Sequence, residues 1–131
     1  MENFEKSSDP SPLNIKEMQE YSRRFIEDRD WTEFHTPKNI AMGISVEAAE
    51  LLEIFQWLTP EQSFQIKSNS GELQRVSDEV GDILHLLIRL SSLLNIDLKQ
   101  AFWEKIKKTE KKYPISLSKG KTAKYSRLSH D

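Results

Sequence analysis

The sequence predicts an all-α fold, a bundle of four to five helices. Apolar residues recur at spacings of three and four through most of the chain, and no stretch alternates long enough to form a strand. Two Thr-Pro pairs stand where helices are expected to begin. The hydrophobic share, 37%, is low for a globular protein, so we expect oligomerisation to complete the core.

The chain divides into three predicted segments. Residues 1–13 are polar and contain two prolines, so they are predicted to form a flexible arm. Residues 14–113 carry the helical pattern and form the predicted domain. Residues 114–131 form a tail with a local excess of basic side chains.

The first predicted helix spans about Asn14 to Asp30. The second begins after Thr36, since Thr at the N-cap and Pro37 in the first turn suit the unpaired amides of a helix start. Its apolar pattern ends near Trp57.

Three further helices are predicted from capping residues and apolar periodicity. They are a short helix opened by Thr59 and Pro60, a long one over about Glu72–Leu94, and one from Asp97 to Tyr113. The helix over 72–94 is apolar over so wide an arc that we expect other helices to surround it.

Two pairs of acids intrude on these apolar faces. Glu47 falls within the apolar stripe of the predicted helix that begins after Thr36, and Glu50 lies at the edge of that stripe. Glu79 and Asp82 repeat the arrangement on the long helix predicted over 72–94. A buried carboxylate without a partner is costly, so acids placed this way require cations. Acids three residues apart usually lie on a solvent-exposed helix face. A second structural alternative is a buried Lys that pairs with one of the acids.

The residue types in this pattern favour a hard metal ion. Side chains three residues apart on a helix are neighbours, so each pair can hold one cation. Oxygen ligands without cysteine select Mg²⁺, with Mn²⁺ as a substitute, over zinc. Because Mg²⁺ usually shares its ligands with phosphate, a nucleotide or another polyphosphate is the expected substrate.

Cationic and aromatic candidates accompany the acids. Lys105 lies in the apolar face of the last long helix, and Thr109 and Lys112 continue its row, which suits the outer phosphates of a substrate. Neutralisation of a core acid is the alternative for Lys105. Trp31 and Trp57 are candidates to hold a base, although a single Trp is more often a core residue.

Composition limits the possible functions. The chain has no cysteine, which excludes disulfides, thiolate metal sites and Cys nucleophiles. A net charge of −2 argues against a general nucleic-acid binder, and no apolar run suggests a signal peptide or a membrane span. We therefore expect a cytoplasmic protein with no nucleic-acid or membrane partner.

Several motifs resemble the MazG-like nucleotide pyrophosphohydrolases, in particular their dCTP pyrophosphatase subgroup. The RDW-x-x-FH motif over residues 29–35 and the FQW motif over 55–57 are the most specific of them. The acidic stretches around 47–50 and 78–83, together with the segment 112–125, complete a resemblance that covers about residues 14–128.

The resemblance implies an all-α homo-oligomer, a dimer or a tetramer, that hydrolyses nucleoside triphosphates to monophosphate and pyrophosphate with Mg²⁺. It assigns the metal to Glu47, Glu50, Glu79 and Asp82. It places Trp31, His35 and Trp57 around the nucleoside. It makes phosphate ligands of Lys105, Lys112, Lys121, Lys124 and Tyr125, so that the tail contributes to the phosphate site.

Three positions depart from the family pattern. Val46 replaces a second Glu, as in the dCTP-directed subgroup, so the acidic motif is reduced to four carboxylates. Thr109 replaces a common Asn, and Leu86 stands where some members have a Tyr near the sugar. The last two differences leave the base and sugar preference open.

Two other functional classes fit parts of the pattern. A di-iron carboxylate bundle also uses inward acids, but it requires two Glu-x-x-His motifs, and the chain offers only Asp82 with His85. A non-catalytic module that binds a nucleotide or a protein partner is the stronger alternative. Nucleotide binding without turnover would distinguish that module from an enzyme.

Overall fold

The computed structural model describes residues 12–128, and within them every regular element is helical. The all-α prediction is confirmed for this part of the chain. Residues 1–11 of the predicted arm lie outside the described residues. The chain divides into two compact units, one ending at Leu94 and the other beginning at Asn95. None of the described helices is long and apolar enough to cross a membrane.

The helix bounds follow the sequence pattern closely. The first unit contains α1 (Ile15–Glu27), α2 (Pro37–Phe55), α3 (Pro60–Gln65) and α4 (Ser70–Leu94), and the second contains α5 (Leu98–Lys112) and the single turn α6 (Ile115–Ser118). The expected caps are present. The Thr36 side chain accepts from the amide of Asn39, and Thr59 forms a capping box with Gln62.

Two helix ends differ from the prediction for local reasons. The first helix ends at Glu27, three residues early, because Asp30 adopts a left-handed conformation with φ of 55° and the Trp31 amide turns back to the Ile26 carbonyl at 3.1 Å. The helix α4 begins two residues before the predicted Glu72. The Asn69 side chain accepts from the Glu72 amide at 3.2 Å and so caps it.

The core of the first unit forms where α1 and α2 pack against α4. Gly43 allows a close approach between α2 and α4, since a Cβ built on it would lie 3.2 Å from Leu86 Cδ1. The buried apolar residues of the described chain are five isoleucines, namely Ile26, Ile40, Ile54, Ile66 and Ile88. So small a core leaves many large apolar side chains exposed, one face of α4 among them.

In the second unit an aromatic pair joins the end of α5 to the tail. The rings of Tyr113 and Tyr125 meet edge to face with centroids 6.0 Å apart, and Lys112 Nζ lies 4.9 Å from the centroid of Tyr125. The predicted basic tail contains a helical turn, α6, and a short 3-10 turn at Tyr125–Arg127. The predicted boundaries of the domain and the tail stay a prediction.

Candidate active site

Three of the predicted acids meet across the contact between α2 and α4. Glu47 and Glu50 are neighbours on one face of α2, and Glu79 reaches them from α4. One carboxylate oxygen of each lies within 4.8 Å of the other two. Residues 32 positions apart in the sequence therefore form one acidic cluster.

The acids differ in exposure as the helix projection predicts. Glu47 and Glu79 are half-buried, whereas Glu50 and Asp82 are exposed. Asp82 stands outside the cluster of three oxygens. Its negative charge nevertheless contributes to raising the pKa of Glu47, so it belongs to the same electrostatic group.

Crowding of negative charge is strongest at Glu47. Hydrogen bonding to the Glu50 carboxyl, followed by burial and by the charge of Glu50, raises the pKa of Glu47 to about 7. Glu79 and Asp82 add smaller contributions in the same direction. A cation bound beside Glu47 would relieve this crowding, because neighbouring carboxylates repel one another.

The residues present fit a hard divalent cation. Glu79 Oε2 is buried and has no hydrogen-bond partner within residues 12–128, so a ligand atom is left free in the cluster. All the donors are carboxylate oxygens, which suit Mg²⁺ or Mn²⁺.

The aromatic residues expected near a nucleoside have different environments. Trp31 packs edge to face on Phe25 with centroids 6.0 Å apart, and it keeps 43% of its surface exposed. His35 is half-buried, and its Nδ1 has no partner among the described residues. Burial first, then the positive charge of Arg89, lowers the pKa of His35. Trp57 is 87% exposed beyond the end of α2.

The structure also reveals polar residues that sequence reasoning missed. The Ser22 hydroxyl lies 2.7 Å from His85 Nε2, which joins α1 to α4. Burial lowers the pKa of His85, so the ring is neutral near pH 7. Arg89, one turn further along α4, is only 5% exposed. The shared helix face of Asp82, His85 and Arg89 was a detectable signal, but nothing in the sequence pointed to Ser22.

The predicted phosphate ligands belong to the second unit. Lys105, Lys121 and Lys124 are exposed, and the Thr109 hydroxyl donates to the carbonyl of Lys105 at 2.9 Å. Contact with the Tyr125 ring orients Lys112. Their role in phosphate binding stays a prediction.

Comparison with known proteins points to one family. The model of the MazG-like family matches residues 42–128. Bovine dCTP pyrophosphatase 1 is 33% identical over 127 residues, which make up 97% of this chain and 73% of the bovine protein. Human dCTP pyrophosphatase 1 is 29% identical over 124 residues, or 95% of this chain and 72% of the human protein.

A solved structure agrees with the sequence relatives. The crystal structure of a pyrophosphatase from Archaeoglobus fulgidus superimposes with a TM-score of 0.71 at 35% sequence identity. The match covers 82% of this chain and 99% of the archaeal one. The similarity therefore extends over nearly the whole length of the archaeal chain.

Proposed function

Since the chain belongs to the MazG-like family, we propose that it is a nucleotide pyrophosphohydrolase acting on dCTP or a related pyrimidine deoxynucleotide. Attack by water on the α-phosphorus breaks its bond to the bridging oxygen. The products are the nucleoside monophosphate and pyrophosphate. The cluster of Glu47, Glu50 and Glu79 carries this proposal, since relatives named pyrophosphatases share the fold that assembles it.

The metal of this reaction is proposed to be Mg²⁺, which Mn²⁺ can replace. Glu47, Glu50, Glu79 and Asp82 would hold it, with the free Oε2 of Glu79 as a ligand. When bound, such an ion lowers the pKa of water and neutralises charge on the phosphates.

The chain's own residues position the reactants. Burial and packing between α2 and α4 hold Glu47 and Glu79 in place before substrate arrives, so little reorganisation is required at the moment of reaction. Glu50, or Glu53 on the next turn of α2, orients the attacking water. Trp31, His35 and Trp57 bind the nucleoside, and Lys105, Thr109, Lys112, Lys121, Lys124 and Tyr125 bind phosphate groups.

A homo-oligomer, a dimer or a tetramer, completes the proposed protein. Four exposed aliphatic residues recur every seventh position on α4, and we call Leu73, Val80, Leu87 and Leu94 the apolar stripe. Between them lie three half-buried residues, Val76, Ile83 and Leu90, which gives the alternating three-and-four spacing of a helix-packing seam. A second copy would cover the stripe. A cytoplasmic location stays a prediction from the sequence.

The reaction is tested by product analysis. Purified protein with Mg²⁺ is incubated with a panel of canonical and modified dNTPs and NTPs, and the products are separated by anion-exchange chromatography. We expect monophosphate and pyrophosphate, and complete loss of both in EDTA.

Two results would contradict the proposal. Diphosphate and inorganic phosphate as products would place the attack at the γ-phosphorus. Binding of nucleotides without turnover of any of them would favour the non-catalytic module instead.

A further inference from the structure

Few buried polar atoms lack a partner in the described part of the first unit. Within residues 12–94 the buried side-chain nitrogen and oxygen atoms without a hydrogen-bond partner are His35 Nδ1, Glu79 Oε2 and Arg89 Nε. Glu79 and His35 already have proposed roles toward metal and nucleoside. Arg89 has none.

Arg89 is an unusual residue to leave without a partner. Arg89 is 5% exposed, yet its Nε has no hydrogen-bond partner and its guanidinium forms no ion pair within residues 12–128. A buried guanidinium destabilises a protein unless acceptors satisfy it. The positive charge of Arg89 also lowers the pKa values of both His35 and His85, so it lies close to both rings.

A groove between α1 and α4 opens onto Arg89. Its volume is about 560 Å³, enough for a nucleoside, and its lining includes Gln19, Arg23 and Ser92. Most other polar side chains of this lining are already engaged within residues 12–128, and Lys16 is the exception. The guanidinium of Arg23 pairs with two carboxylates of α1, and the Gln19 amide donates to Ser91 Oγ at 3.2 Å.

The register of α4 connects this groove with the acids. Asp82, His85 and Arg89 lie within about 60° of one another around the helix, and we call them with Glu79 the polar strip. Arg89 stands seven residues from Asp82, or about 10 Å along the axis. That separation is comparable with the reach of a nucleotide from its α-phosphate to its base.

His85 supplies a second donor on the polar strip. The Ser22 hydroxyl, 4% exposed, has no other side-chain hydrogen bond within residues 12–128, so we assign its proton to His85 Nε2. The proton of the neutral ring then sits on Nδ1. Arg89 and His85 together present donors and no acceptor.

We propose that Arg89 is a specificity-determining residue, which donates hydrogen bonds to adjacent acceptor atoms of the nucleobase beside His85. This inference rests on the proposed function. Cytosine offers such a pair, the carbonyl O2 and the unprotonated N3. Uracil and thymine carry a proton on N3, which would face the donors of Arg89. The planar guanidinium suits the cytosine pair, because its N–H groups are fixed in a fork.

The test compares Arg89→Met with Arg75→Met, an exposed Arg of the same helix that pairs with Glu72. We measure kcat/KM for dCTP and dUTP, and Tm without nucleotide. Arg89→Met should lower the dCTP/dUTP preference at least tenfold and leave Tm equal or higher, since it removes an unpaired buried charge. Arg75→Met should leave the preference unchanged. If Arg89 has only a structural role, Arg89→Met should lower Tm and reduce kcat/KM equally for dCTP and dUTP. That result would overturn the inference.

Two further measurements keep the inference testable. If Arg89→Met does not fold, Arg89→Lys takes its place, because Lys keeps the positive charge but lacks the planar fork of N–H donors. An unchanged dCTP/dUTP preference in Arg89→Lys would overturn the proposal.

Calorimetric binding of dCMP and dUMP separates the role of Arg89 from the proposed pyrophosphohydrolase function. If the wild-type protein binds dCMP more tightly than dUMP, loses this preference in Arg89→Met and hydrolyses no nucleotide, only the proposed function is refuted. Hydrolysis of dCTP with a preference that Arg89→Met leaves intact refutes the role of Arg89 alone.

Discussion

Two faces of α4 reverse the usual distribution of residues in a soluble helix. The polar strip of Glu79, Asp82, His85 and Arg89 contains a half-buried acid and a buried arginine with unpartnered atoms. The apolar stripe is between 41% and 51% exposed at every one of its four residues. Proteins normally pair buried polar groups and cover contiguous apolar surface.

Neither face is satisfied by the described part of the first unit, residues 12–94. We propose a metal ion and a nucleotide as the ligands of the unpaired carboxylate and guanidinium atoms. For the aliphatic row of heptad spacing we propose a helix of a second copy. Under these two proposals one face of α4 serves the chemistry and the other serves assembly, so changes to the two faces should have separable effects.

The largest effect is expected from the polar strip. Glu79→Gln removes the charge of the acid that carries the free oxygen, and we expect turnover of dCTP to fall at least 100-fold because the metal loses a ligand. Pyrophosphate release at saturating Mg²⁺ measures it. Glu61→Gln, an exposed acid of α3, is the control and should retain full rate. A Glu79→Gln enzyme with more than a tenth of the wild-type rate would exclude Glu79 as a ligand.

A charge in the apolar stripe should dissociate the oligomer. Leu87 is 41% exposed at the middle of the stripe, so Leu87→Lys would place an ammonium group in the proposed interface. Light scattering coupled to size-exclusion chromatography should show a monomer. Gln74→Lys is the matched control, because Asp78 lies one turn away to pair with the new Lys. An oligomer that withstands Leu87→Lys must form through another surface.

Metal binding should stabilise the protein through the polar strip. An ion that binds only the folded state at about a hundred times its Kd contributes about 2.7 kcal/mol, or a rise in Tm of roughly 10 °C for a chain of this size. Thermal unfolding with and without Mg²⁺ or Mn²⁺ measures it. The rise should shrink in Glu79→Gln and persist in Leu87→Lys. No rise at any ion concentration would argue against a site in the free protein.

The smallest effects concern two helical glycines. Gly81 on α4 has open space where a Cβ would stand, so Gly81→Ala should raise the free energy of unfolding by about 1 kcal/mol through helix propensity. In Gly43→Ala the new Cβ would press on the Leu86 side chain, and we expect this close contact to offset the gain in helix propensity. Urea denaturation of both variants measures the difference. Equal gains in unfolding free energy would mean that the Leu86 side chain moves aside without cost.

Much of the fold could be predicted because its signals are local. Thr36, Thr59 and Asp97 cap helices through bonds to amides three residues ahead, a spacing visible in the sequence. The end of α1 was missed because Asp30 adopts a left-handed conformation that its residue type permits but does not require.

The candidate site was only partly predictable. The apolar neighbours of Glu47 and Glu79 on their own helices indicated half-buried acids, and both are half-buried. The bond between Ser22 and His85 joins residues 63 positions apart, and no periodicity reports such a pairing. The shared face of Arg89 with Asp82 was visible in the sequence, but its burial was not, since an arginine on a charged helix usually reaches solvent.

The helices, and the helix faces on which the acids lie, follow from the sequence alone. Capping bonds and helical periodicity act over three to seven residues, so they need no knowledge of packing. Tertiary packing brings Glu79 to Glu47 and Glu50, places Ser22 against His85, and buries Arg89 with no hydrogen-bond partner for its Nε within residues 12–128. The reason is physical: these contacts depend on the angle and register at which α1, α2 and α4 pack, and side chains from all three helices set them together.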